Sequence, residues 1–351
     1  ILGAVPVPLN TKLLNEEIYA IVDDYNFKFL ITDKELPTVH FQKIFKIIQI
    51  NQIKINQVEV AQFNPPNFKN EAIVIFTSGS TGQAKGVVHT FSSLINSIEI
   101  GNRILMHQEK DRWLASLPFY HIGGFQIICR SLLYGCTIVI PDSLQTEDLA
   151  KSVSNFSPTH LSLVSTQLER LIHHKVKPDE SLKASLIGGG FIDDELMFEA
   201  NELGWKPLRV YGSSETGSFV TVISVNEIKD KPQSVGKALK NVELKTTDDL
   251  EILIKSDSLF IKYLDDDKET SSKLVDGFYH SGDLGYIDED GYLFIEARRN
   301  DLIVTGGENI NPIEVEKALL QIPGIKEACV FAKLSKSWGQ IIAAAIVVTD
   351  S

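Results

Sequence analysis

The sequence predicts an α/β protein. It has a large N-terminal domain of stacked, mostly parallel sheets with flanking helices and a small β-barrel-like part, then a small C-terminal α+β domain. Three observations predict this. From Asp111 to Tyr211, apolar strands alternate with amphipathic helices, as in parallel βαβ units covered on both faces. Ser234 to Leu264 and Tyr279 to Glu296 alternate in strand fashion between Gly and Asp turns. From Asp301 a new helix and two strands follow. The boundary is placed between 299 and 300, giving domains 1–299 and 300–351.

In order, Gly3 to Asn10 is extended and punctuated by prolines. Asn15-Glu16-Glu17 opens a helix ending near Tyr25, and Phe27 to Thr32 reads as a buried strand. Leu36 to Phe63 should carry a strand or two before the turn at Asn64-Pro65-Pro66-Asn67. Ala72 to Phe76 is a buried strand, a glycine-rich loop follows, and a helix runs from about Thr90 to Arg103. The alternating part has strands at Arg112–Ser116, Thr137–Ile140, His160–Val164, Ala184–Ile187 and Leu208–Tyr211. Helices at Gly124–Tyr134, Asp148–Asn155, Thr166–His173 and Asp193–Leu203 separate them. Asp288-Glu289-Asp290-Gly291 turns between two strands. Asn311-Pro312 starts a helix to about Leu320, since proline suits a first helical turn. Gly324 to Ala332 and Ile341 to Val348 are strands.

Length, 351 residues, suits two domains. Composition is ordinary for a globular protein: 43% hydrophobic and 23% charged. No apolar run is long enough to cross a bilayer as a helix. A net charge of −12 argues against broad nucleic-acid binding. An anionic substrate must then be met by local basic groups. Cys129, Cys136 and Cys329 lack metal-ligand spacing and are odd in number. They read as buried thiols of a cytoplasmic protein. The chain opens on Ile1, not Met, inside an extended segment, so we expect it to be truncated at the start.

The stretch with the most chemistry is Thr77-Ser78-Gly79-Ser80-Thr81-Gly82-Gln83-Ala84-Lys85-Gly86. Four hydroxyls, three glycines and a lysine follow a strand. Glycines let backbone N–H groups approach a ligand, and the concavity they form with hydroxyls favours anionic oxygens. Lys85 adds a point charge, so the loop suits a polyphosphate. It is not a Walker loop: counted from Gly79, Ala84 and Gly86 stand where Gly and Ser/Thr are required.

The loop does resemble the phosphate-binding signature of the adenylate-forming superfamily of acyl-CoA synthetases, adenylation domains and luciferases. Further motifs follow in that family's order. Tyr211-Gly212-Ser213-Ser214-Glu215-Thr216 resembles Y-G-x-T-E, with Ser214 in place of Thr. The resemblance implies that Tyr211 and Gly212 meet adenine, Ser214 a phosphate, and Glu215 Mg²⁺. Gly188-Gly189-Gly190 implies the floor of the adenine site, with Gly188 reaching the acid; a plain tight turn is the other reading. Tyr279-His280-Ser281-Gly282-Asp283 resembles Y-x-[ST]-G-D, where Asp283 takes both ribose hydroxyls. Ala297-Arg298-Arg299-Asn300-Asp301 resembles G-R-x-x-D with Ala297 for Gly. It implies Arg298 on ribose or phosphate and Asn300 at the hinge. Gly306-Gly307-Glu308-Asn309-Ile310-Asn311-Pro312 resembles G-G-E-N-[IV]-x-P and implies a coenzyme A channel at Gly306 and Gly307.

Leu117-Pro118-Phe119-Tyr120-His121 resembles the loop beside the acyl pocket, so His121 either touches substrate or packs and caps. Arg130 lies on an otherwise apolar helix and needs an anion. That anion is a structural acid or a second carboxylate of the substrate. With His121-Ile122-Gly123-Gly124, Arg130 and Trp338-Gly339-Gln340, the chain looks most like the o-succinylbenzoate–CoA ligase branch, whose substrate is an aromatic dicarboxylate.

The resemblance implies an AMP-forming acid–thiol ligase using ATP, Mg²⁺ and coenzyme A, with Lys85, Thr81 and Glu215 as the catalytic groups. Its partners are small molecules, without nucleic acid or membrane span; a homodimer is one possible assembly. The family's adenylating lysine, in a P-x-x-x-x-G-K setting, does not occur before Ser351. We therefore expect truncation at this end too, and a chain that binds ATP yet adenylates poorly. Other aryl or fatty acyl-CoA synthetases, an adenylation domain loading a carrier protein, and a nucleotide-sensing module without catalysis stay open.

Overall fold

The computed structural model describes residues 4–25, 27–34, 46–52, 67–77, 84–298, 302–305, 308–335 and 339–348. Its centre is one twelve-stranded sheet among the described residues. Eleven strands follow one path: Glu243–Thr246, Glu251–Lys255, Phe278–Ile287, Tyr292–Arg298, Gly236–Ala238, Ser218–Ser224, Pro207–Ser213, Ala184–Ile187, His160–Leu163, Arg112–Leu114 and Thr137–Val139. Leu274–Val275 pairs onto Phe278–Ile287.

The alternating region is parallel throughout, from Thr137–Val139 to Pro207–Ser213. Helices Thr146–Phe156, Ser165–His173 and Asp194–Glu202 cover one face through Leu149, Val153, Leu168, Leu171 and Met197. Helices Phe91–Leu105 and Ile122–Tyr134 reach the other through Ile100, Leu105 and Ile127. Beyond Pro207–Ser213 each new pairing is antiparallel. The cause is local: only four residues link Ser213 to Ser218, too few for a parallel crossover.

The glycine-rich loop has a different setting from the one expected. It joins two antiparallel strands, Glu71–Thr77 and Lys85–Thr90, before the helix begins. Val87, Val88 and His89 are buried, so the second strand is as much core as the first. Lys262–Tyr263 pairs on its far side. Thr90 caps the helix Phe91–Leu105, accepting a hydrogen bond from the Ser93 amide.

Two other expectations change. The strand expected over Phe27–Thr32 is Phe29–Thr32 and is not buried: Phe29 and Ile31 are 60% and 57% exposed. Among the described residues it pairs only with Lys46–Gln49, and from these two strands only Leu30 and Ile47 face the helix Asn15–Asp24 at Ile18 and Val22. Strand alternation then turns Phe29 and Ile31 outward. Residues 35–45 and 53–66 lie outside the described residues. Cys329 is exposed, not buried, because it faces away from the helix side of strand Ile325–Ser335; Cys129 and Cys136 are half-buried.

After 302 a four-stranded sheet runs in the order Glu308–Ile310, Ile303–Thr305, Gly339–Val348, Ile325–Ser335. Helix Pro312–Leu320 packs on it, and Glu316 accepts the Val330 amide at 2.7 Å. Asn311 caps this helix from the Ile313 amide. No described helix is long and apolar enough to cross a membrane.

Under the parallel strands, His107, Trp113 and His160 stack with ring centroids 4.9 Å apart pairwise. His160 Nε2 donates to the Leu105 carbonyl, and His107 Nδ1 bonds Asn102 Oδ1. Burial holds both rings neutral, lowering His107 to about 3 and His160 in the same direction. Unfolded, each titrates near 6.5, so the unfolded chain binds more protons below that pH. The stability they permit is full above pH 6.5 and is lost as pH falls toward the folded values. At pH 5 the His107 shift costs about 2 kcal/mol relative to pH 7, and His160 acts in the same direction. Urea midpoints measured from pH 7 to pH 5 should fall, and His107→Gln should flatten that decline.

Candidate nucleotide- and acid-binding site

Lys85 opens the second strand of the glycine-loop hairpin, directly across from Thr77. Its Nζ sits 2.5 Å from Glu269 Oε1 and 5.6 Å from the centroid of the Tyr263 ring. Tyr263 donates its hydroxyl to Glu215 Oε1 at 2.9 Å. Burial and the Glu215 charge raise the Tyr263 pKa, which keeps it a neutral donor. Lys85 and Glu215 are thus two ends of one contact chain, although 130 positions separate them.

Glu215 is held by the tight turn that ends strand Pro207–Ser213. Only glycine fits at 212: a Cβ there would stand 2.0 Å from the Ser218 carbonyl oxygen. Thr216 closes the turn, accepting the Ser213 amide at 2.8 Å. Ser214 is fixed through its carbonyl, which accepts His89 Nε2 at 2.7 Å. His89 is fully buried, and burial lowers its pKa to about 4, so the neutral ring donates from Nε2 at physiological pH.

Tyr211 donates to Asp283 Oδ2 at 2.7 Å. Burial first, then the Asp283 charge, push its pKa well up. Arg298 lies opposite Asp283 in the strand register, with Nε 3.3 Å from Oδ1. A carboxylate oxygen accepts more than one hydrogen bond, so Asp283 retains capacity for a diol. Gly282 has φ +76°, a left-handed conformation inside strand Phe278–Ile287 that suits glycine, next to Asp283. Gly188 packs against strand Pro207–Ser213, where a Cβ would meet the Val210 side chain at 2.9 Å. Gly189 and Gly190 follow it, exposed.

Arg130 is 1% exposed. Its Nη2 donates to Ser218 Oγ at 2.9 Å, and its guanidinium lies 5.4 Å from the Trp113 ring and 5.6 Å from the Phe219 ring. Burial lowers its pKa to about 10, which leaves it cationic. Among the described residues no acid lies within ion-pair distance, so the structural-acid alternative finds no partner. Arg130 Nε, Gln126 Oε1, Ser97 Oγ and Ser131 Oγ are buried without a hydrogen-bond partner among the described residues. Gln126 donates to the Gly217 carbonyl at 2.7 Å. His121 precedes the same helix, caps it with no side-chain bond, and is exposed beside Tyr120.

The structure therefore brings together Thr77, Lys85, Tyr211, Gly212, Ser214, Glu215, Asp283 and Arg298, with Gly188 on the neighbouring strand. No contact joins His121 to Arg130 among the described residues. Ser78, Gly79, Ser80, Thr81, Gly82, Asn300, Gly306 and Gly307 lie outside the described residues. His89, Tyr263 and Glu269 were missed. None sits in a glycine motif; a histidine in an otherwise apolar strand, Val87-Val88-His89, was the one available signal. The donor set fits a magnesium nucleotide. Glu215 Oε2 has no hydrogen bond among the described residues, and oxygen is the ligand a hard cation takes.

The AMP-binding enzyme family profile matches residues 1–264. The chain belongs to that family. It is 32% identical to the 2-succinylbenzoate–CoA ligase of Bacillus subtilis (strain 168), over 97% of this chain and 72% of the relative. It is also 32% identical to the ligase of that name from Listeria monocytogenes serotype 4b (strain F2365), over 100% and 74%. Among solved structures it resembles o-succinylbenzoate CoA synthetase from Bacillus subtilis in complex with the acyl-adenylate intermediate OSB-AMP. There the TM-score is 0.88 at 32% identity, covering 98% of this chain and 73% of that one. The same enzyme with ATP and magnesium ion gives 0.88 at 31%, covering 98% and 74%.

Replacing His89 tests whether the turn is anchored from behind. His89→Ala should raise the KM for ATP by about tenfold, the cost of leaving a buried carbonyl unpaired. Because His89 is neutral down to about pH 4, the ratio of variant to parent KM should be flat from pH 6 to pH 8.

Proposed function

We propose that the chain is an ATP-dependent acid–CoA ligase converting o-succinylbenzoate, coenzyme A and ATP to o-succinylbenzoyl-CoA, AMP and pyrophosphate, in menaquinone biosynthesis. The observation that carries the acid is Arg130: a fully buried cation with no acid partner among the described residues and an unpaired Nε. A dicarboxylate would leave one carboxylate to react and place the other on this guanidinium. The relatives' names point to the same acid.

The chemistry follows from the geometry. A carboxylate is ionised at neutral pH and needs no general base. Its oxygen attacks the α-phosphorus, the bond to pyrophosphate breaks, and an acyl-adenylate forms. The thiol sulfur of coenzyme A then attacks the acyl carbon and AMP leaves. Lys85 offsets charge on the departing phosphates, Asp283 and Tyr211 hold the nucleoside, and Arg298 supports Asp283. Magnesium on Glu215 would supply further charge neutralisation. Most of the rate comes from positioning and preorganised charge.

We assign residues 1–299 to the ATP- and acid-binding domain and 300–351 to a mobile small domain. Asn300 is its hinge, and Gly306 and Gly307 line the thiol path. His121 flanks the acid. Thr81 and the remaining residues of the glycine loop complete the phosphate site. We take the enzyme as cytoplasmic, with a homodimer as its candidate assembly.

ATP–pyrophosphate exchange with the full-length protein tests the substrate. Exchange should be fastest with o-succinylbenzoate and slow with benzoate and with fatty acids. Arg130→Met should cut kcat/KM for the dicarboxylate by about 100-fold or more, as when one partner of a buried charge pair is lost. Equal turnover of a monocarboxylic acid by the parent enzyme would remove the role of Arg130.

A further inference from the structure

Lys85 is not waiting unpaired for phosphate. Its Nζ is 2.5 Å from Glu269 Oε1, and both side chains are about a quarter exposed, at 29% and 26%. The pair joins residues 184 positions apart and is built from behind. Strand Lys262–Tyr263 pairs with Val87 and Val88, and the Leu264 amide donates to the Gly86 carbonyl at 2.7 Å. Thr270 Oγ1 accepts the Tyr263 amide at 2.9 Å, and Asp266 Oδ1 accepts the Glu269 amide at 2.9 Å. Backbone contacts on both sides therefore hold Glu269 over Lys85. A polyphosphate reaching this lysine meets an anion already in place.

We propose that Glu269 is a positioning residue that competes with phosphate for Lys85. It aligns the lysine between turnovers, shares it with the β- and γ-phosphates of ATP, and recaptures it as pyrophosphate departs. The inference rests on the reading that Lys85 serves the phosphates. Repulsion between Glu269 and a bound anion grows with the charge of that anion. The effect is therefore largest for pyrophosphate and ATP and smallest for AMP. Glu269 weakens pyrophosphate binding and so favours release of that product.

The test measures inhibition constants of pyrophosphate and AMP on the full-length enzyme. Glu269→Gln keeps an acceptor for Nζ and leaves the backbone bond to Asp266 intact. It should bind pyrophosphate about threefold to fivefold more tightly, the scale of a partly screened ion pair, with AMP changed less than about twofold. Glu269→Asp keeps the charge with a shorter reach and should fall between parent and Gln. Lys85→Ala should weaken pyrophosphate about tenfold or more, and adding Glu269→Gln to it should restore nothing. If Lys85→Ala weakens pyrophosphate but neither Glu269 variant tightens it, the inference about Glu269 is overturned and the phosphate site stands. If Lys85→Ala leaves pyrophosphate binding unchanged, the reading of Lys85 itself fails. Equal tightening of AMP and pyrophosphate would also overturn the inference, since it marks a general structural change.

Discussion

The site depends on one steric constraint, the near-contact of two backbones at Gly212. Strands Pro207–Ser213 and Ser218–Ser224 come so close there that no side chain fits. Because of that closeness the chain reverses within four residues, and the sheet changes from parallel to antiparallel at this strand. Thr216 closes the turn from within, and four of its other residues are held by different parts of the molecule. Ser214 is tied by its carbonyl to His89, Glu215 to Tyr263, Gly217 by its carbonyl to Gln126, and Ser218 to Arg130. Carboxyl ends of parallel strands are where open α/β sheets bind ligands, and here the pairing also changes from parallel to antiparallel.

Charge is distributed with the same economy. With a net charge of −12 the protein as a whole repels its anionic substrates, so attraction is local. Three cations stand around the turn, and each has a different environment. Lys85 is shared with Glu269, and Arg298 leans on Asp283 at half exposure. Arg130 sits between aromatic rings without a carboxylate among the described residues. A guanidinium is weakly hydrated and stacks on aromatic faces, which makes it the one cation that tolerates such burial. Desolvation that would be a liability in a structural role becomes, for a ligand carboxylate, the reason the contact is strong.

Much of this was legible because the motifs encode local backbone demands. The strand ending into Tyr211 to Thr216 and the helix start at Asn311-Pro312 were each placed where the structure has them, while Gly282-Asp283 lies within strand Phe278–Ile287. Alternation from Asp111 to Tyr211 likewise maps onto the parallel strands nearly residue for residue. What was not legible is pairing over distance. Nothing near Lys85 in the chain points to Glu269, and nothing near Glu215 points to Tyr263, because both contacts arise from the short strand Lys262–Tyr263 docking on Lys85–Thr90. That second strand was itself missed: Lys85 and Gly86 were read as the end of the loop and Thr90 as the start of a helix. Phe29 and Ile31 misled for the opposite reason: an apolar run signals burial only where a partner surface exists to cover both faces.

On the proposed function, one turn would serve two ligands. Lys85, Glu215 and Asp283 approach it from the nucleotide side, while Gln126 and Arg130 approach it from the helix Ile122–Tyr134. Attack of a carboxylate on phosphorus requires the two ligands to meet within about 3–3.5 Å in line, and misplacement by an ångström is costly. Two independently anchored sites would each add their own positional error. A single turn, braced on one face by His89 and Tyr263 and on the other by Gln126 and Arg130, would give both ligands of the proposed reaction a common reference. On that reading, loss of any brace would misplace one ligand relative to the other as well as weaken its own site.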